Sequence, residues 1–193
     1  MDICEKVFGF ELTFKTSEKL FSYKGADKGT LFMLDKCEIK EDDVVLDLGC
    51  GYGLVGISCA KVVKGNNVVM CDIDPLAVEY SFINAEQNNI NNVTIIQSNA
   101  YENITRDDFT LILSNPPYHD DFSVPKRFIE HGYKKLSYGG RMFMVTKRLE
   151  WYKNKFISVF GGVRIFRKDG YFVFMGIKTS DLKLNRNKKY NIL

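Results

Sequence analysis

The chain has 193 residues, 45% hydrophobic and 26% charged, with no low-complexity tract, no signal-peptide pattern after Met1 and no apolar run near the roughly 20 residues of a membrane span, so one ordinary globular domain with a small appendage is expected. Its five cysteines (4, 37, 50, 59 and 71) are odd in number and form no Cys-x-x-Cys pair, so neither a disulfide framework nor a metal site is expected, and a reducing cytoplasm is the natural compartment. The net charge of +3 divides into −10 for residues 1–125 and +13 for residues 126–193, a basic C-terminal third that suits either nucleic acid or a solvated surface.

Phe8, Phe10, Leu12 and Phe14 alternate with polar or small residues at strand period. Thr16-Ser17-Glu18 reads as a turn into Leu20, Phe21 and Tyr23, which predicts a small N-terminal β-hairpin. A polar loop over 25–29 leads to Thr30, the expected cap of a short helix ending near residue 37. From Asp43 strands and helices alternate: strand 44–48, helix 54–63, strand 67–71, a helix from Pro75 to residue 88, and strands at 93–97 and 109–113. A helix over 124–138, stopped by Gly139 and Gly140, precedes a strand at 141–146 and a helix at 149–159. The last two strands, 163–167 and 171–179, are joined through Asp169-Gly170, a strong hairpin signal. This alternation predicts an α/β fold, a doubly wound, mostly parallel sheet of seven strands with helices on both faces and a C-terminal antiparallel hairpin. Residues 1–29 are expected to form the N-terminal hairpin and entrance segment, 30–180 the main domain, and 181–193 a basic tail that frays.

Two stretches carry chemistry. Asp47-x-Gly49-x-Gly51-x-Gly53 opens a helix straight after a strand, where glycines permit positive φ and let a ligand approach the backbone. Gly51-x-Gly53-x-x-Gly56 also spells the dinucleotide fingerprint, so glycine spacing alone fits NAD as well as S-adenosylmethionine, and Asp72 stands where either ribose would be held. Asp74, just before a helix, reads as a cap. The second stretch is Ser114-Asn115-Pro116-Pro117-Tyr118-His119. Its prolines stiffen the backbone and remove N–H groups, leaving an amide, free carbonyls and an aromatic ring at one strand end, a set that suits a planar group bearing NH2. An acid two residues before the first glycine is unusual for an NAD site, and Asn-Pro-Pro-Tyr has no role in hydride transfer.

With these motifs the chain resembles the class I S-adenosylmethionine-dependent methyltransferases, which implies a Rossmann-like fold. The resemblance implies that Asp47, Gly49, Cys50, Gly51 and Gly53 wrap the methionine end of the cofactor, with Asp72 and Ile73 at the ribose and Asn99 and Ala100 flanking the adenine. Asn99 stands where the family commonly has Asp; its amide oxygen can still accept from the adenine amine. Residues 15–30, with Phe21-Ser22-Tyr23 and Asp27-x-Gly29-Thr30, are similar to the entrance segment of the small methyltransferase domain family, and Thr30 and Asn115 are further cofactor contacts on that resemblance. Asn-Pro-Pro-aromatic-His is similar to the ribosomal RNA small subunit methyltransferase C group, over the catalytic domain only, which implies guanine N2 methylation of ribosomal RNA. Adenine N6 of RNA or DNA and glutamine N5 of protein are the alternatives for such a motif; an NAD-dependent oxidoreductase and a non-catalytic RNA-binding module are the other classes. The implied catalytic set is Asn115, Pro116, Pro117 and Tyr118, with His119 and His131 weak candidates for a base. Lys126, Arg127, Lys134, Lys135, Lys147, Arg148, Trp151 and Lys153 form a candidate RNA-facing rim, although partial burial on its own helix is the favoured reading for Trp151.

Overall fold

A computed structural model describes residues 1–117 and 121–179; Tyr118, His119 and the 181–193 tail lie outside the described residues. Strands β1 (Asp2–Val7) and β2 (Phe10–Lys15) pair antiparallel. They are followed by α1 (Lys28–Lys36), β3 (Val45–Leu48), α2 (Leu54–Ala60), β4 (Val68–Asp72), α3 (Pro75–Gln87), β5 (Val93–Gln97) and β6 (Phe109–Ser114). The described chain is completed by α4 (Ser123–Lys135), β7 (Leu136–Thr146), α5 (Glu150–Phe160), β8 (Arg164–Lys168) and β9 (Tyr171–Ile177). Strands β3 to β9 make one seven-stranded sheet in the order β5-β4-β3-β6-β7-β9-β8. The run from β5 to β7 is parallel, and β9 and β8 are antiparallel additions, as the sequence pattern predicts.

Side chains along each strand alternate between two cores, as the period of 2 requires. Val45, Leu111, Leu113, Phe143, Val145 and Val173 join a cluster with α1, α2, α3 and the hairpin. Leu46, Ile112, Met142, Met144 and Phe174 join another with α4 and α5. Because helices cover both faces, β3 is buried at every position and reads as a nearly unbroken apolar run. In the second core the fully buried rings of Phe156 and Phe174 stack at 5.7 Å; truncating either to alanine would cost about 3–5 kcal/mol.

The N-terminal hairpin forms, but not with the predicted turn. It reverses at Phe8 and Gly9, whose φ values of +51° and +86° are those of a two-residue type I′ connection. A single small residue inside the Phe8–Phe14 alternation hid it. Residues 17–25 are turns rather than a second strand, and they bury Leu20. The edge of β2 docks on α3 through two side-chain amides four residues apart, hence on one helix face. Asn84 accepts from the Lys15 N–H (2.7 Å) and donates to the Lys15 and Tyr52 carbonyls (2.9 and 2.8 Å). Asn88 accepts from the Thr13 N–H (3.1 Å) and donates to the Thr13 carbonyl (2.8 Å).

Two further boundaries differ from expectation. Asp27, not Thr30, caps α1: its carboxylate accepts from the Thr30 N–H at 2.8 Å, three residues into the turn. Helix α4 ends at Lys135, and β7 starts at once, running through Gly139 and Gly140 instead of after them. A Cβ on Gly140 would lie 2.8 Å from the Ser137 carbonyl and 3.0 Å from that of Phe109, so this glycine allows a close backbone approach where the β6–β7 register shifts.

Candidate active site

The sheet order reverses between β3 and β6, and in an open α/β sheet the crevice for a ligand lies beyond the carboxyl ends of the strands at such a switch point. A cleft of about 440 Å³ opens there. Of the residues singled out from the sequence, Thr30, Asp47, Gly49, Cys50, Gly51, Asp72, Ile73, Asn99, Ala100, Asn115, Pro116 and Pro117 line it. Gly53 does not; it backs the loop with φ +95°, and a Cβ there would stand 2.9 Å from Ile57 and Met70.

The loop after β3 is tied to β4 by the Gly49 and Cys50 N–H groups, both donating to the Cys71 carbonyl at 2.9 and 3.0 Å. Its acid, Asp47, is 2% exposed and accepts from the Gly56 N–H at 2.8 Å. Burial pushes this carboxyl up to about 7, partly offset by the Gly56 bond and reinforced by the Asp72 charge. Asp72 is fixed from both sides: one oxygen accepts from the Gly51 N–H (2.9 Å) and the other from the Asp74 N–H (3.0 Å). A carboxylate offers about four acceptor positions, so each oxygen can still take a hydroxyl. Asp74 itself caps α3 through the Leu76 N–H, as expected. At Gly51, φ is +56° and nothing lies within 4 Å of where a Cβ would stand, so the glycine leaves room in the cleft.

On the opposite side, the end of β6 is held by the Ser114 hydroxyl, which donates to the Leu48 carbonyl at 2.7 Å. The Asn115 NH2 donates to the Thr30 hydroxyl (2.8 Å) and to Asp27 (3.1 Å). Thr30, expected on the cofactor, thus also braces the motif. The Tyr171 hydroxyl, from the start of β9, donates to the other Asp27 oxygen at 3.3 Å. Asp27 stood in the Asp27-x-Gly29-Thr30 pattern, yet sequence reasoning assigned it no part in the site. At the far wall, the Asn99 oxygen expected to meet adenine accepts from Arg127, and its NH2 donates to Glu102 at 2.9 Å. Arg127 therefore lines the cleft rather than an outer rim.

Other members of the predicted rim are also engaged. Lys135 donates to the Ile104 carbonyl at 2.8 Å, and Lys153 pairs with Glu150 at 3.9 Å. Trp151 is half-buried, stacked on Phe122 at 4.4 Å, as favoured for it. The Arg148 guanidinium lies 5.1 Å over Phe122, and the Lys147 ammonium 4.9 Å over Tyr171. Both cations are exposed, just past the carboxyl end of β7 and beside that of β6.

A crevice with these two edges, one built around Asp72 and the glycine loop and the other around Asn115, belongs to the S-adenosylmethionine-dependent methyltransferases. The chain belongs to the methyltransferase small domain family, whose model matches residues 11–175. It is 33% identical over 174 residues to the uncharacterized protein YbxB of Bacillus subtilis, covering 87% of each chain. It is 30% identical over 166 residues to ribosomal RNA small subunit methyltransferase C of Serratia proteamaculans, covering 84% of this chain and 47% of that one. For ribosomal RNA large subunit methyltransferase G of Alteromonas mediterranea the identity is 26%, covering 90% and 45%. The chain therefore spans about half the length of these two methyltransferases. Among solved structures, RsmC, a 16S rRNA N2 methyltransferase of T. thermophilus in complex with AdoMet and guanosine, shares the fold with a TM-score of 0.85 at 24% identity, covering 92% of this chain and 50% of that one. The cofactor of the class is S-adenosylmethionine. The doubly anchored Asp72 and the open space at Gly51 fit it. Among the described residues no helix is long and apolar enough to cross a membrane.

Proposed function

We propose that this chain methylates an exocyclic base amine, guanine N2 of ribosomal RNA. The observation that carries the reading is the Asn115 amide at the rim of the cofactor cleft, with its NH2 end turned to Asp27 and Thr30. An amide oxygen has two lone pairs with which to accept, and the target amine is a donor. Bound S-adenosylmethionine supplies an electrophilic methyl group on a sulfonium. The base amine is a weak nucleophile because its lone pair is delocalised into the ring. Hydrogen bonds from its two N–H groups to Asn115 Oδ1 and the Pro116 carbonyl favour a pyramidal, more reactive nitrogen, and Pro117 keeps that carbonyl out of any helix. Tyr118 is assigned to the face of the base. Most of the acceleration is positioning and preorganised electrostatics. No general base is needed beforehand, because the methylated amine is acidic enough to release its proton afterwards.

In this reading Asp72 holds the ribose hydroxyls with Ile73 beside it, Asp47, Gly49, Cys50 and Gly51 take the methionine end, and Asn99, Ala100 and Arg127 close the adenine end. Lys147 and Arg148 receive RNA phosphates beside the cleft. The names of the ribosomal RNA methyltransferases to which the chain is similar support the substrate class. Labelled S-adenosylmethionine incubated with separate RNA, DNA and protein fractions tests it, followed by analysis of the modified nucleosides. The expected product is N2-methylguanosine from ribosomal RNA; N6-methyladenosine or methylated glutamine would replace the substrate assignment.

A further inference from the structure

Asp27 is the hub of a small network on the side of the motif away from the glycine loop. One of its oxygens accepts from the Thr30 N–H (2.8 Å), the Thr30 hydroxyl (3.3 Å) and the Asn115 NH2 (3.1 Å). The other accepts from the Tyr171 hydroxyl at 3.3 Å. The Thr30 hydroxyl, having given its proton to Asp27, is left as an acceptor for the second Asn115 N–H at 2.8 Å. Asn115 therefore meets two acceptors, a carboxylate and an oriented hydroxyl. An amide turned the other way would set its oxygen against both, so only one of the two flips fits.

The network joins parts distant in sequence, since Asp27 precedes α1, Asn115 follows β6 and Tyr171 opens β9. Room for it depends on Gly29, where a Cβ would lie 2.5 Å from the Tyr171 ring. That ring is in turn covered by the exposed Lys147 ammonium. The capping duty of Asp27 toward Thr30 explains one of its four bonds; the contacts to Asn115 and Tyr171 do nothing for the helix.

We propose that Asp27 is a positioning residue that sets the flip of the Asn115 amide, and so restricts the target to groups that donate N–H. This rests on the function proposed above. In the structure the chain already holds the acceptor in its working sense through Asp27, Thr30 and Tyr171.

The test compares Asp27→Ser, which keeps a good helix cap but loses the reach to Asn115 and Tyr171, with Asp27→Asn, which can keep an acceptor toward Thr30 and Asn115 by turning its own NH2 to the Tyr171 oxygen. Side-chain NH2 signals of 15N-labelled protein are recorded, with that of Asn115 assigned by its absence in Asn115→Asp. Asp27→Ser is expected to move the Asn115 pair towards solvent-exposed values, and Asp27→Asn to hold it near its native position. In methyl transfer to RNA, Asp27→Ser is expected to lower kcat about 10- to 100-fold, with S-adenosylhomocysteine affinity within about threefold and recovery in Asp27→Asn. An Asn115 signal unmoved by Asp27→Ser overturns the proposal, as does a loss of cofactor affinity matching the loss of kcat. If the native enzyme transfers no methyl to RNA, the substrate reading fails, and the NH2 signal still decides the role of Asp27.

Discussion

Replacing Asp47 by asparagine isolates the energetic consequence of burying an acid in the wall of the cleft. An aspartic acid exposed to water titrates near 3.8, and burial raises this one in the fold to about 7. Between those values the folded chain holds a proton that the unfolded chain has released, so stability falls as pH rises. The contribution is fully present below about pH 4 and falls by about 1.4 kcal/mol per pH unit until the folded group ionises. The total by pH 8 is roughly 4 kcal/mol. Asp47→Asn is nearly isosteric and keeps an oxygen for the Gly56 N–H, but carries no charge. Urea unfolding of cofactor-free protein from pH 4 to pH 8 is expected to show the two proteins nearly equal at the acid end. The variant should be the more stable by several kcal/mol at pH 8. Parallel pH profiles would refute the reasoning, because other titrating groups are common to both. If Asp47 takes the methionine end of the cofactor as proposed, the same variant is expected to bind S-adenosylhomocysteine about tenfold less tightly.

Gly53→Ala and Gly51→Ala should separate packing from ligand room. With φ +95° and a Cβ 2.9 Å from two side chains, Gly53→Ala is expected to lose about 2 kcal/mol or more in thermal unfolding. Gly51→Ala, strained at φ +56° but facing open space, should lose about 1 kcal/mol yet sharply weaken S-adenosylhomocysteine binding by calorimetry. Asn84→Ala removes three hydrogen bonds and should lower stability by about 2–3 kcal/mol, read by chemical denaturation. Of the five thiols only Cys4 is exposed, and burial pushes Cys37 and Cys71 up to about 12. A chromogenic disulfide reagent should therefore titrate one thiol in the native protein and all five after unfolding.

Patterns confined to one element were legible in the sequence; contacts between elements were not. The apolar run around Leu46 and Leu48, Pro75 at a helix start and Asp169-Gly170 between two strands each carry their signal locally, and the sheet follows from their alternation. The turn at Phe8-Gly9 was missed because a phenylalanine rarely occupies the left-handed region. The strand through Gly139 and Gly140 was missed because the pair looks like a helix stop, whereas Gly140 instead allows a close approach to Phe109. In the site, the acids and glycines around the loop after β3 stood out by spacing. Asp27 was given no part and Arg127 was placed on an outer rim, because their contacts are to Asn115 and Asn99, which lie 88 and 28 residues away.

The docking of β2 on Asn84 and Asn88 has a consequence for the order in which the chain becomes structured during synthesis. Those partners lie 69 and 75 residues downstream of Lys15 and Thr13. A lone two-stranded hairpin is at best marginally stable in water. At a typical 5–20 residues per second, the hairpin waits roughly 4–15 s after its own synthesis for its support. The hairpin is thus made before α3 and secured only after it, and the Tyr52 carbonyl within the glycine loop gains its side-chain donor only when Asn84 has emerged.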